Sequence, residues 1–481
     1  MSRNWWRVGD AVVLTLYSCV ILFTVRYHEK WADEAQAWLI ARDLSLKSIW
    51  FRELRYEGSP GLWHTILWVA QHVFHAGYGS LGYIGVACAI AGAAVLVFVA
   101  PFPRYLRWPL AFTYVIVYQY AVIARPYTLL PLFAFAAALV FKDVQHPERI
   151  TIALFLLAML TLHGTIIAAC LALAFLIDVI KAWPTLEPRV RHNFIICVGV
   201  MTLTFLFIAV ILKPTADVAE FAPKDSVALQ SQVSPAQKMV TAVCGAFLDS
   251  PLPSFAFLVL VGAWCAFRGR LLVFALPIVL LTALYGMVHG YAHHQGTIFI
   301  AAITALWIAW PTERERLGFN PLQRGATLGV TALILVLCQV NISDAAVAIE
   351  REYRYPYSGA EDAARYLKSV GADREPMFGY LFGVVAIQAY FDHNIFANLS
   401  TAYFHLGLQQ KGTTLNVDEI ERVRPLYIVA YSIAPNELLK ANGPVFTSLG
   451  YELVHFSDGY YLYKRGVYQR ESYLIFRRAT P

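Results

Sequence analysis

Long apolar segments recur along this chain as far as residue 342, and a chain built this way has few folds open to it. They fall at 8–25, 81–100, 108–123, 127–141, 150–162, 164–180, 193–212, 254–267, 271–289, 296–311 and 325–342. Inside a bilayer every backbone N–H and C=O must be paired within the chain, so only helices and closed barrels cross it. These segments are continuous rather than alternating, which argues against a barrel. A straight span takes about 20 residues; the shorter segments either extend through interfacial Trp and Tyr or line a cavity. Composition agrees, with 58% hydrophobic and only 15% charged residues, against about 25% charged in soluble domains. The expected class is a polytopic α-helical membrane protein.

The net charge of +6 carries no nucleic-acid signature, because Lys and Arg fall mainly between apolar segments and form no long basic run. Seven cysteines are present, six of them (Cys19, Cys88, Cys170, Cys197, Cys265, Cys338) inside apolar segments and none in a CxxC spacing, so neither a zinc nor a redox motif is expected. The N-terminal segment has no small-residue cleavage site and reads as an uncleaved first helix, with its N-terminus in the cytoplasm.

A twelfth stretch, Pro60–Phe74, decides the topology. If it crossed, the loop Pro101–Arg107 would lie outside and the signs would alternate wrongly from there on. If it lies along the membrane, Arg104/Arg107, Lys142–Arg149, Lys181–His192, Arg268/Arg270 and Thr312–Arg324 all fall inside. The positive-inside rule favours the second arrangement, with about eleven spans. The outer face then holds the first loop 26–80, Ala124–Tyr127, His163-Gly164, Lys213–Ala236, Asp249–Ser254 and His289–Gly296. The unusual polar residues share one face.

Composition divides the chain into a membrane region, 1–344, and a region of ordinary polarity, 345–481. In the second, Ser358-Gly-Ala-Glu361 reads as a capping box before a helix. Leu426–Tyr431 reads as a buried strand, helices are expected near 417–424 and 435–441, and Ser457-Asp-Gly459 reads as the turn of a hairpin between Tyr451–Phe456 and Tyr460–Lys464. A small α/β domain on the outer, periplasmic side is expected.

Five places carry chemistry. Asp33 and Glu34, in Trp31-Ala-Asp-Glu-Ala-Gln-Ala-Trp38, open a helix at the membrane surface; they either cap it, since its dipole favours carboxylates, or serve a reaction. Glu57, before Gly58-Ser-Pro60, either charges an exposed turn or orients a substrate or cation. Arg125, before Pro126-Tyr127, either snorkels or grips an anion such as phosphate through its planar fork. His293-His294, bracketed by Gly290 and Gly296, suits phosphate or substrate contact or interfacial packing; metal is less favoured, because adjacent histidines do not share a helix face and no carboxylate completes a set. His163 either packs or joins the same site. No Gly-rich nucleotide loop, Walker motif or GxSxG occurs.

Three of these runs, Trp31–Trp38, Arg55-Tyr-Glu-Gly-Ser-Pro-Gly-Leu-Trp63 and Ala124-Arg-Pro-Tyr127, resemble the GT-C class of membrane glycosyltransferases. That class includes the protein O-mannosyltransferases, the lipid A aminoarabinose transferase and the rhizobial galacturonosyltransferase-like group. The likeness is best over residues 1–180, and His293-His-Gln-Gly296 looks like its later outer-face motif.

The resemblance implies an enzyme of the bacterial inner membrane that moves a sugar from a polyprenyl-phosphate carrier to a glycan, lipid or protein acceptor on the periplasmic face. Asp33 matches the class's catalytic carboxylate, with Glu34 beside it. Glu57, Arg125, His163, His293 and His294 are placed to hold substrate or carrier phosphate. Many members carry a second acidic residue near Arg125, and Gln119–Tyr127 has none. No cofactor and no metal ligand is assigned. The partners implied are a lipid-linked donor and membrane lipids, with no nucleic acid. The competing reading is a transporter or flippase of lipid-linked glycans, for which repeats and broken midplane helices are the usual signs.

Overall fold

The computed structural model describes residues 2–213, 233–287, 292–404, 415–464 and 467–479. Helices dominate it, and a small sheet closes its C-terminal part. Among the described residues, five helices are long and apolar enough to cross a membrane: Arg7–Val25, Tyr78–Val99, Leu162–Thr185, Pro188–Ile211 and Pro321–Arg354. The helices Pro235–Ala246 and Pro251–Phe267, bent by 74° at a short break, raise the number to six if they form one span. Pro126–Val140 and Leu271–Met287 are apolar but shorter. The protein is therefore membrane-embedded by the length and composition of its helices. Most of the expected outer stretch Lys213–Ala236, and His289 with Gly290, lie outside the described residues.

Two segments depart from a simple span. The stretch expected at 108–123 is a short helix, Arg104–Ala111, followed by a π-helical turn, Val115–Gln119. The backbone then leaves the helix before Arg125. Residues Tyr114–Val122 are almost wholly buried among neighbouring helices, the setting in which irregular backbone is tolerated at membrane depth. Thr113 Oγ1 donates to Leu110 O at 2.7 Å and Tyr114 OH donates to Gln119 Oε1 at 2.9 Å, which ties down the widened turn. The second departure was expected: within Pro60–Phe74 the helix Leu62–His72 has 11 residues. At about 1.5 Å per residue it is too short for a bilayer core of about 30 Å. It packs beneath the helix Ala32–Asp43.

Beyond Arg354 the chain forms a four-stranded sheet in the order β1-β2-β4-β3, with β1 Met377–Tyr380, β2 Tyr427–Ser432, β3 Tyr451–Lys464 and β4 Val467–Arg478. β1 and β2 are parallel; β2–β4 and β3–β4 are antiparallel. The helices Val417–Val423 and Pro435–Ser448 stand close to their expected places.

Two local expectations are corrected. Ser457-Asp-Gly459 is not a turn, because β3 runs straight through it. Asp458 is satisfied there by Arg470 and Ser472 on β4, so the cross-strand partners hold the segment extended. The capping box at Ser358 does not close either. Ser358 Oγ accepts from the Ala360 N–H at 3.2 Å, while Glu361 pairs with Arg365.

Candidate functional site

The run Trp31–Trp38 folds as the start of the helix Ala32–Asp43, whose first turn holds both acidic residues. Consecutive helical residues point about 100° apart, and the pair splits accordingly. Glu34 turns inward and is fully buried. Its Oε2 accepts from the Trp31 N–H at 3.3 Å and lies 2.9 Å from His28 Nε2; its Oε1 accepts from the Ala124 N–H at 2.7 Å. His28 Nδ1 lies 3.0 Å from Glu352 Oε1, which also accepts from Tyr118 OH at 2.6 Å. Burial opposes charge on His28, yet Glu352 and Glu34 outweigh it and hold its pKa up at about 10. Burial alone would raise the Glu34 pKa; the His28 cation and the Ala124 N–H bring it below the ordinary value. Glu34, expected beside Asp33 in the chemistry, is thus the link that fixes the loop before Arg125.

Asp33 turns the other way. Its Oδ2 lies 3.0 Å from Arg125 Nη1, with 25% of the aspartate and 18% of the arginine side chain exposed. The guanidinium sits between two rings, 5.8 Å from the Trp31 centroid and 5.5 Å from that of Tyr127, an arrangement that favours a desolvated cation. Pro126 starts the 3-10 turn Pro126–Leu129 that carries Tyr127.

Gln36, one turn on from Asp33, donates from Nε2 to Glu57 Oε1 at 2.8 Å. Gln36 is itself gripped by the Phe404 backbone, donating to its O at 2.6 Å and accepting from its N–H at 2.7 Å. Glu57 ends a short helix at Gly58, whose left-handed backbone (φ +61°) suits glycine. Burial pushes the Glu57 pKa up to about 7, the Asp33 charge adds to the rise, and Gln36 and Arg125 oppose it. His64 Nε2 lies 3.9 Å from Glu57 Oε2. Among the described residues neither ring nitrogen of this buried histidine has a hydrogen-bond partner, and burial lowers its pKa to about 4.

The three remaining histidines form one cluster. His163 and His294 stack with centroids 4.9 Å apart, and His293 Nε2 lies 3.1 Å from His294 Nε2. Tyr127 OH is 3.3 Å from His163 Nδ1, and its ring is 5.8 Å from that of His293. Tyr120 OH donates to His293 O at 2.6 Å and Tyr285 OH to His294 O at 2.8 Å, so two tyrosines hold the start of the helix Ala292–Ala309. A Cβ on Gly296 would stand 2.7 Å from Tyr120 OH, so the close approach requires glycine there. The sheet roofs the site: Tyr461 of β3 stacks on Trp31 with centroids 5.1 Å apart.

The residues singled out in sequence therefore meet, with Arg125 and Tyr127 joining a carboxylate end (Asp33, Glu57) to an imidazole end (His163, His293, His294). Sequence reasoning missed His28, Gln36, His64, Tyr118 and Glu352. Gln36 had a signal, its i+3 spacing from Asp33; His28 lies only six residues before Glu34, but in the irregular stretch ahead of the helix, where no spacing rule joins the two, and Ala124, Tyr118 and Glu352 are too remote in sequence to have one. Among the described residues, no group of three or more His, Cys, Asp or Glu is placed to hold a metal ion. No known protein family, curated protein or solved structure matches this chain.

Proposed function

We propose that this protein is a membrane glycosyltransferase of GT-C type, taking a sugar from a polyprenyl-phosphate carrier and giving it to an acceptor on the periplasmic face of the bacterial inner membrane. In this reading the chain makes about eleven crossings, the shorter apolar helices included. The observation that carries it is the Asp33–Arg125 pair, a carboxylate and an anion-gripping guanidinium 3.0 Å apart and flanked by Glu57 and three histidines.

The chemistry needs little more. A sugar linked to phosphate has a good leaving group, so no strong general acid is required. An acceptor hydroxyl attacks C1 of the sugar and forms the new C1–O bond. The C1–O bond to phosphate breaks, its electron pair leaves on the polyprenyl phosphate, and the hydroxyl proton passes to Asp33. Attack opposite the leaving group inverts C1. Arg125 grips the phosphate through its fork, with His163, His293 and His294 as further donors. The incoming phosphate draws Arg125 off Asp33 and frees the base when donor is present. Glu57 accepts a hydrogen bond from a sugar or acceptor hydroxyl. Glu34 positions Arg125 through Ala124.

Loss of the protein should cause one lipid-linked sugar to accumulate in the membrane, and wild-type protein, but not an equally expressed Asp33→Asn variant, should clear it. Clearance by D33N would remove the base assignment. Accumulation of a lipid-linked glycan on the cytoplasmic side only would favour the flippase reading.

A further inference from the structure

A second pocket, of about 520 Å³, opens where the first helix and the long helix Pro321–Arg354 end against the C-terminal region. Its wall includes Glu29, Glu352 and Asp362, and its rim Tyr27, Tyr353 and Tyr355. Two features make it more than an acidic patch. Glu352 is 4% exposed and, among the described residues, its Oε2 has no hydrogen-bond partner; nor has the buried Oε2 of Glu29. The only base facing Glu352 in the buried triad, His28, is shared with Glu34, so two carboxylates draw on one imidazole. The arginines of the pocket make exposed surface pairs, Arg354 with Glu350 at 2.7 Å and Arg365 with Glu361 at 3.4 Å and Asp362 at 3.3 Å, and among the described residues neither forms an ion pair with Glu29 or Glu352. Burial, with Glu361 and Asp362 nearby, pushes the Glu29 pKa up to about 8 against the opposing pull of Arg365 and His28.

The pocket also lies at a membrane boundary. Phe23, Tyr27 and Tyr353 are 47%, 40% and 61% exposed and pack on one another, with centroids 5.1 to 6.2 Å apart, just past the apolar part of the first helix. Exposed rings at the end of a spanning segment mark the headgroup level. A ligand there needs a cation for the carboxylates and aromatic rims, and an anion for Arg354 and Arg365, whose side chains are 61% and 66% exposed.

We propose that this pocket binds the headgroup of an aminophospholipid from the adjoining leaflet, its ammonium against Glu29 and Glu352 beside the tyrosine rings and its phosphate toward Arg354 and Arg365. The site is separate from the Asp33–Arg125 centre. It is joined to that centre by the hydrogen-bonded run Glu352–His28–Glu34–Ala124. It rests on membrane embedding and not on the transferase reading.

The test uses the full-length protein in lipid nanodiscs of phosphatidylglycerol alone or mixed with phosphatidylethanolamine, with bound lipid read by native mass spectrometry and unfolding by thermal shift. Phosphatidylethanolamine should be retained over phosphatidylglycerol by roughly tenfold, the scale of one charge-assisted hydrogen bond, and should raise Tm. Glu352→Gln touches the His28 triad and risks misfolding, so Glu29→Gln is the working variant, and it should abolish the preference at unchanged Tm in phosphatidylglycerol. Equal retention of the two lipids, or an undiminished preference in E29Q, would overturn the proposal. So would binding of soluble phosphoethanolamine in detergent without any lipid preference, which would leave a free amine as the ligand.

Discussion

Asp33 Oδ2 and Arg125 Nη1 stand 3.0 Å apart, joining the first turn of the largely buried helix Ala32–Asp43 to the irregular loop that follows a buried π-turn. In the proposed reaction the base and the phosphate-gripping cation are the two halves of this one ion pair, and the incoming phosphate separates them. Arg125→Lys keeps the charge but loses the two-pronged geometry. Transfer by R125K should fall roughly ten- to hundredfold, equivalent to about 1.5–3 kcal/mol for a hydrogen bond to a charged group, and donor KM should rise. Steady-state kinetics with purified lipid-linked sugar would read it; an unchanged KM would remove Arg125 from the phosphate.

Glu57 is held at a pKa of about 7. A carboxylate that must be ionised to accept a substrate hydroxyl gives an activity that rises with pH through that value. Turnover should show an acid limb near pH 7, and Glu57→Gln should flatten it and lower the plateau about tenfold. Gln36 opposes the rise in the Glu57 pKa, so Gln36→Leu should move the limb to higher pH. A limb that stays in E57Q would assign it to another group.

His28 predicts a stability that depends on pH. Its folded pKa is about 10, against about 6.5 for a free histidine. The fold keeps a proton that the unfolded chain releases between those values. The stabilisation is complete below pH ~6.5 and is lost as pH rises toward 10. Wild-type Tm in detergent should drop between pH 6 and pH 9. His28→Gln should melt lower at pH 6, by the order of 3–5 kcal/mol expected for breaking a buried charge network, with a smaller drop at pH 9. A wild-type Tm that is flat over this range would contradict a charged His28.

The imidazole cluster should act on the donor more than on the acceptor. Ala substitution of His163 or His294 separates the stacked rings 4.9 Å apart and should raise donor KM severalfold while leaving acceptor KM nearly unchanged. The two losses should not add, because the rings share one network. Fully additive losses would argue for two separate contacts.

Much of the architecture was legible because it rests on local patterns. Apolar length located helices, five of which, or six with the bent pair, are long enough to cross a membrane among the described residues against the eleven expected; Pro60–Phe74 holds only the short helix Leu62–His72, and the β-rich run Leu426–Tyr431 located β2. Topology placed Asp33, Arg125 and His293-His294 on one face, and the structure brings them together. What was not legible depends on long-range partners. Ser457-Asp-Gly459 has the composition of a turn, but Arg470 and Ser472 across the ladder keep it extended. Glu34 reads like a twin of Asp33 until His28 and Ala124 are found on its oxygens. No carboxylate stands in Gln119–Tyr127, and Glu57, held by Gln36, reaches the neighbourhood of Asp33 from another loop. Residues 108–123 read as one span, because nothing in their hydropathy betrays a π-turn buried by its neighbours.

In the proposed reaction Asp33 takes the acceptor proton while Arg125 holds the carrier phosphate. That assignment is tested most directly by single-turnover transfer from a radiolabelled polyprenyl-phosphate sugar, using purified wild-type protein and Asp33→Asn in the same bilayer, with donor binding measured in parallel. Retained donor binding in D33N with transfer reduced by roughly 10²–10⁴-fold, the contribution of a positioned base, is the predicted result. Transfer by D33N at the wild-type rate, or no transfer by wild-type protein from any lipid-linked sugar, would contradict it.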